Sequence, residues 1–205
     1  MAFLDALPAG ARLILNGDII THYYTDAQLS PEHKRVIDKL RQSSYEREVI
    51  WIRGNNDRKL VLSDPGQIRF MEEFSIGKRV YVAHGHRFDR LMPTIRGLLV
   101  PTRLIYDFVA RLRGSHKHVA EFAKRFQGLY GVLLKHVARN AARYARKHGY
   151  SAVVCGHTHY PEDRMIDGVR YLNTGCWTEQ DTAIVVVGVD RISLQNLSVG
   201  TEKRV

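Results

Sequence analysis

Cysteine is nearly absent from this sequence: Cys155 and Cys176 are the only two in 205 residues. Two thiols cannot build a disulfide framework, and both stand in strand or strand-end contexts where buried free thiols are ordinary, so both read as reduced. Long apolar runs are missing as well. No stretch approaches the ~18 residues of a membrane span, and no charged segment leads into an apolar one as a secretory leader would, so the expected location is the cytoplasm. There is also no internal repeat and no low-complexity linker. With 44% hydrophobic and 25% charged residues, the sequence suits one globular domain, 1–205, with a substantial core. Acidic residues are scarce in one place. Residues 87–150 hold 14 Lys+Arg against 3 Asp+Glu, so the basicity of the whole chain, net +10, belongs to that segment.

What the sequence does have is a repeated arrangement. Ala152-Val153-Val154-Cys155 runs into Gly156-His157-Thr158-His159, and three other β-branched or aromatic runs end the same way. Arg12 to Asn16 leads to Gly17-Asp18, Val49 to Arg53 leads to Gly54-Asn55-Asn56-Asp57, and Arg79 to Ala83 leads to His84-Gly85-His86. Each is a short strand followed by a glycine beside oxygen or nitrogen donors. The C-terminal ends of strands are where open α/β sheets keep their sites. Imidazole is a common ligand for first-row metals, and a carboxylate can bridge two of them. An isolated pair of loop histidines would look the same, but four such endings describe one site.

These blocks, in this order, resemble the calcineurin-like metallophosphoesterase family. The resemblance implies an α/β fold, the four-layer αββα sandwich, with two divalent ions, Mn²⁺ being the expectation. It also implies roles. Asp18 would bridge the ions; Asn55, His84 and His157 would complete one site, and His159 with Asp18 would begin the other. The family's opening Asp-x-His, which supplies two further ligands, is absent, so an upstream start or a truncated N-terminus with a weakened second site is expected. Asn56 stands where many members have the His that protonates a leaving group, and an amide cannot titrate. That favours cleavage of an anhydride, whose phosphate leaving group departs unprotonated. Arg58 or Arg53 could contact phosphate; His86 is a weaker candidate near the substrate, and His22 fits no block. Within the family, Gly156 to Pro161, Tyr171 to Glu179 and Phe88-Asp89 are similar to the UDP-2,3-diacylglucosamine diphosphatase group of lipid A synthesis. Cys176 stands where that group commonly has Asp.

The rest of the sequence fills in around these blocks. Met1 to Leu7 reads as a helix end. Ser30 to Glu48 reads as a crossover helix with Pro31 at its start and Val36, Ile37 and Leu40 towards the sheet. Residues 87–150 read as a basic helical cap, with an apolar stripe from Leu104 to Leu112 and a second helix over Leu133 to His148. The second helix carries Lys135, Arg139, Arg143 and Lys147 on one face. Such a face suits an anionic membrane surface, a substrate diphosphate, or simply solvent. Nucleic acid fits less well because aromatics are not interleaved. The C-terminal runs Val169 to Asn173, Thr182 to Val189 and Arg191 to Leu197 read as strands joined by tight turns that complete the second sheet.

The reading is a metal-dependent hydrolase acting on a lipid-linked nucleotide sugar and releasing UMP and a lipid monophosphate, at the inner face of a membrane. The rivals are a phosphoesterase for a soluble nucleotide or phosphodiester, and a non-catalytic metal-bound lipid or nucleic-acid binding module.

Overall fold

Strand β2, Val49–Ile52, is buried along its whole length, and its two faces meet different partners. Successive side chains of a strand point to opposite faces. Val49 and Trp51 pack with Ile37 and Leu40 of helix α2, Pro31–Glu46, which follows the short α1 at Ala2–Asp5, whereas Ile50 and Ile52 pack with Val80, Val82, Ala152, Val154 and Leu172. Strand β2 therefore lies between a helical layer and a second sheet. The computed structural model describes residues 2–20, 25–91, 127–178 and 182–197.

The first sheet has the order β1-β2-β3, with β1 at Leu13–Asn16 and β3 at Arg69–Met71, and both flank β2 in parallel. The second sheet has five strands. They are β4 (Glu73–Ile76), β5 (Val80–Ala83), β6 (Ala152–Cys155), β7 (Pro161–Ile166) and β8 (Val169–Thr174), in the order β4-β5-β6-β8-β7. Strands β5, β6 and β8 run parallel, and the two edges are antiparallel hairpins. The same alternation recurs here. Tyr81, Ala83, Val153, Cys155 and Tyr171 face outward onto helix α3, Gln127–Lys147, through Leu133, Val137, Ala138, Ala141, Ala142 and Ala145. Alanines along this face let the helix axis approach the sheet closely. The layers are thus α2, three strands, five strands and α3, the αββα sandwich expected from the sequence.

The helix read as part of a cap, α3, is this outer layer of the sandwich. The apolar stripe from Leu104 to Leu112 lies outside the described residues. Helix α2 starts as expected, with the Ser30 side chain accepting from the His33 N–H and Pro31 in the first turn. Val36 does not face the sheet; it is exposed. The C-terminal strands also divide differently from the expectation. Val169–Thr174 joins the five-stranded sheet, whereas β9 (Ala183–Val187) and β10 (Ile192–Asn196) form a separate antiparallel pair packed on the inter-sheet core. Among the described residues no helix is long and apolar enough to cross a membrane.

The α3 contact is tight enough to test. Replacing Ala141, fully buried between α3 and the sheet, with Leu should cost about 1–3 kcal/mol by overpacking. Replacing exposed Val132 on the same helix with Ala should stay within about 0.5 kcal/mol. Chemical denaturation of the two variants measures the difference.

Candidate metal centre

The loops after β1, β2, β5 and β6 bring the motif residues together. Asp18 is held in the left-handed backbone region, φ 54°, as are His157 at 67° and His159 at 56°. Non-glycine residues take up such conformations where the surrounding structure imposes them, commonly at functional sites. Two glycines make room. A Cβ on Gly54 would lie 2.1 Å from Asp18 Oδ1, and one on Gly17 would lie 2.5 Å from His84 Nδ1. The Asn56 backbone N–H donates to Asp18 Oδ1 at 2.8 Å and its side-chain amide donates to Oδ2 at 2.7 Å, so the carboxylate is fixed in orientation. Burial alone would raise the Asp18 pKa. The adjacent His84 imidazole, the Asn56 N–H and nearby His157 outweigh it and hold the group below its ordinary value, ionised.

His84 is buried at the end of β5, and its Nδ1 lies 2.7 Å from the carbonyl oxygen of Asn16. A carbonyl only accepts, so in the neutral ring Nδ1 carries the hydrogen and Nε2 carries the lone pair. That Nε2 is buried without an aligned hydrogen bond, 3.2 Å from Asp18 Oδ2. His157 is oriented by a carboxylate instead. Its Nε2 lies 2.9 Å from Oδ2 of buried Asp89, which leaves Nδ1 for coordination. One donor atom each from Asp18, His84 and His157 lies within 4.8 Å of the others. A carboxylate, two imidazoles with their remote N–H groups engaged and a buried lone pair fit a divalent cation. Among the described residues this is the one such group of three acidic, histidine or cysteine side chains.

The remaining candidates sit around it. Asn55 is exposed on the loop after β2, and the amide that touches Asp18 is that of Asn56. Arg58 is exposed, and its charge reaches His86. Burial, then the charges of His84 and His157, push His86 down to about 4, so that half-buried ring is neutral near pH 7. Arg53 is committed elsewhere, donating to the carbonyls of Arg58 and Leu60 and stacking 4.8 Å above Phe70. His159 lies outside the group of three. It contacts Cys176, whose thiol burial would raise; hydrogen bonds with His159 and Thr178 bring it below its ordinary value instead. His22 lies outside the described residues.

Three further residues matter that the motif reading does not assign. Asp89 orients His157. Asp57, 1% exposed, accepts from the Gly54 N–H, the Ile19 N–H and the Trp51 indole. Asn173, fully buried, donates to the Gly156 carbonyl at 2.7 Å and to Thr158 Oγ1 at 3.0 Å, pinning the His157 loop. Their signal in the sequence is a polar residue placed just after or at the end of a buried strand, which becomes informative only once its neighbours are known.

Residues 2–191 match the Calcineurin-like phosphoesterase superfamily domain. The chain belongs to that family. It is accordingly a hydrolase of the metal-dependent phosphoesterase class. No curated protein matches it. Similar solved structures include a double mutant of Vps29 from Entamoeba histolytica, 14% identical, covering 98% of this chain and 89% of that one with a TM-score of 0.42. Wild-type Vps29 complexed with Zn²⁺ from the same organism is 13% identical, with 94% of each chain covered and a TM-score of 0.37. A conserved uncharacterised protein described as a predicted phosphoesterase, from Streptococcus pneumoniae TIGR4, is 13% identical, covering 94% of this chain and 91% of that one with a TM-score of 0.33.

For this calcineurin-like phosphoesterase, Asp89→Asn should weaken divalent-metal affinity by roughly 10- to 100-fold, because the amide accepts the His157 N–H less strongly. Gly54→Ala should weaken it further by displacing Asp18. Metal titration by calorimetry, with circular dichroism to check folding, measures both; unchanged affinity in a folded Gly54→Ala protein would count against Asp18 as a donor.

Proposed function

We propose that this phosphoesterase cleaves a phosphoric anhydride in a lipid-linked nucleotide sugar of the UDP-2,3-diacylglucosamine kind, releasing UMP and a lipid monophosphate. The observation that carries the reading is Asn56. Its amide has no titratable proton and is spent on Asp18, and the nearby His86, pushed to about 4, is a neutral ring near pH 7. A leaving group that needs a proton would find no ready donor on these two side chains, whereas a phosphate leaves as an anion. The resemblance of Gly156 to Pro161 and Tyr171 to Glu179 to the diacylglucosamine diphosphatase group narrows the anhydride to that substrate.

In this account Asp18, Asn55, His84 and His157 hold one divalent ion firmly, with Mn²⁺ the expected metal. Asp18 and His159 give a second ion only part of a ligand set. Such ions lower the pKa of a water and neutralise charge on phosphoryl oxygens. Asp89 and the Asn16 carbonyl keep the two imidazoles in register for that task, and exposed Arg58 would contact a substrate phosphate. Asn56 keeps the Asp18 carboxylate turned towards the donors.

Turnover should be measured on the diacylated UDP-sugar, on its deacylated counterpart and on an alkyl phosphate monoester. The account predicts fast cleavage of the first, slower cleavage of the second and almost none of the third. Equal rates on the two UDP-sugars would favour a soluble nucleotide substrate, and preference for the alkyl ester would overturn the anhydride assignment.

A further inference from the structure

Helix α3 contains five cations, Lys135, Arg139, Arg143, Arg146 and Lys147, and no carboxylate. Arg146 and Lys147 lie in the last turn, where the helix dipole favours positive charge. Lys135, Arg139 and Arg143 have no such explanation. They recur every four residues, so they stack on one face, and like charges at that spacing repel. Among the described residues none of the three has a carboxylate partner; Arg143 donates only to the neutral Asn140 side chain at 3.1 Å. The opposite face of the helix is buried on the five-stranded sheet, so the cations line the outside of the molecule.

The outer face is shaped as well as charged. Val132, Lys135, His136, Arg139, Asn140 and Arg143 line an open groove of about 420 Å³. An adjoining groove shares Lys135 and Arg139 and adds Arg164, Met165 and Asp167 from the β7–β8 hairpin. Arg164 is itself paired with Glu162 at 3.3 Å, so the unpaired charge is that of α3. Val132 and Met165 are exposed apolar side chains at 55% and 64%, set among these cations.

We propose that this outer face of α3, with the tip of the β7–β8 hairpin, docks on an anionic phospholipid membrane. Charge complementarity requires a partner rich in phosphate, which would relieve the repulsion along the stripe. The exposed Val132 and Met165 select a lipid surface over nucleic acid, because apolar side chains beside cations enter the headgroup boundary. Among the described residues no Phe, Tyr or Trp lines either groove to stack on bases. The face is also tied to the metal centre. The Tyr130 hydroxyl, one turn before the stripe, donates to the carbonyl of Thr158 in the loop that bears His157 and His159. The inference deepens the proposal of a lipid-linked substrate but stands on α3 and the β7–β8 hairpin, independent of that substrate.

The test uses the full chain loaded with metal and co-sedimentation with vesicles of phosphatidylglycerol and phosphatidylcholine. Lys135→Gln, Arg139→Gln and Arg143→Gln together should weaken vesicle binding on the order of 100-fold. Circular dichroism and metal content should be unchanged, showing that the variant is folded. Salt near 1 M, which shortens the screening length to about 3 Å, should bring the wild type towards the variant. Equal vesicle binding by wild type and variant, equal binding of the wild type to pure phosphatidylcholine, or tighter binding to duplex DNA than to anionic vesicles would each overturn the proposal. None of these readouts depends on the substrate, so failure here leaves the anhydride assignment to its own experiment.

Discussion

Three N–H groups close on the buried carboxylate of Asp57, and two loops of the centre depend on it. Ile19, next to Asp18, donates at 2.9 Å; Gly54, next to Asn55, donates at 2.6 Å; the Trp51 indole donates at 2.9 Å from the core of the first sheet. A carboxylate out of water is tolerated only when its oxygens are satisfied, and removing it would leave three donors stranded in a protein interior. One side chain therefore fixes the loop after β1 to the loop after β2. Asn56 then reaches across to Asp18, and the absence of a side chain at Gly54 allows the two loops to touch.

The second sheet is organised on the same principle by different groups. The Gly156 N–H donates to the carbonyl of His84 at 2.9 Å, and Asn173 holds the Gly156 carbonyl from the neighbouring strand. The Asn16 carbonyl then links the sheets by engaging Nδ1 of His84. The geometry of the centre thus follows from backbone and buried polar contacts that place its donors side by side.

Much of this was legible in the sequence because the family motifs lie at strand ends. The runs ending at Asn16, Arg53, Ala83 and Cys155 are rich in apolar and β-branched residues, and each is followed by glycine or histidine, so strands, loops and candidate donors could be named together. Strand β7 could not be read in that way: Pro161-Glu162-Asp163-Arg164 is an edge segment whose polar residues hide its pairing with β8. Helix α3 was visible, but its place was not, since an apolar stripe does not say whether it covers a sheet or a substrate. Asp57 and Asp89 were hidden for another reason. Their roles come from partners 38 and 68 residues away, a separation that no local pattern encodes.

The central claim is that Asp18, His84 and His157 share one divalent ion. X-ray absorption at the metal edge, on protein loaded with one equivalent of Mn²⁺, tests it most directly. The account predicts a shell of oxygen and nitrogen donors containing two imidazoles, falling to one imidazole in folded His84→Ala protein. A sulfur donor in that shell, or an imidazole count unchanged by the substitution, would contradict it.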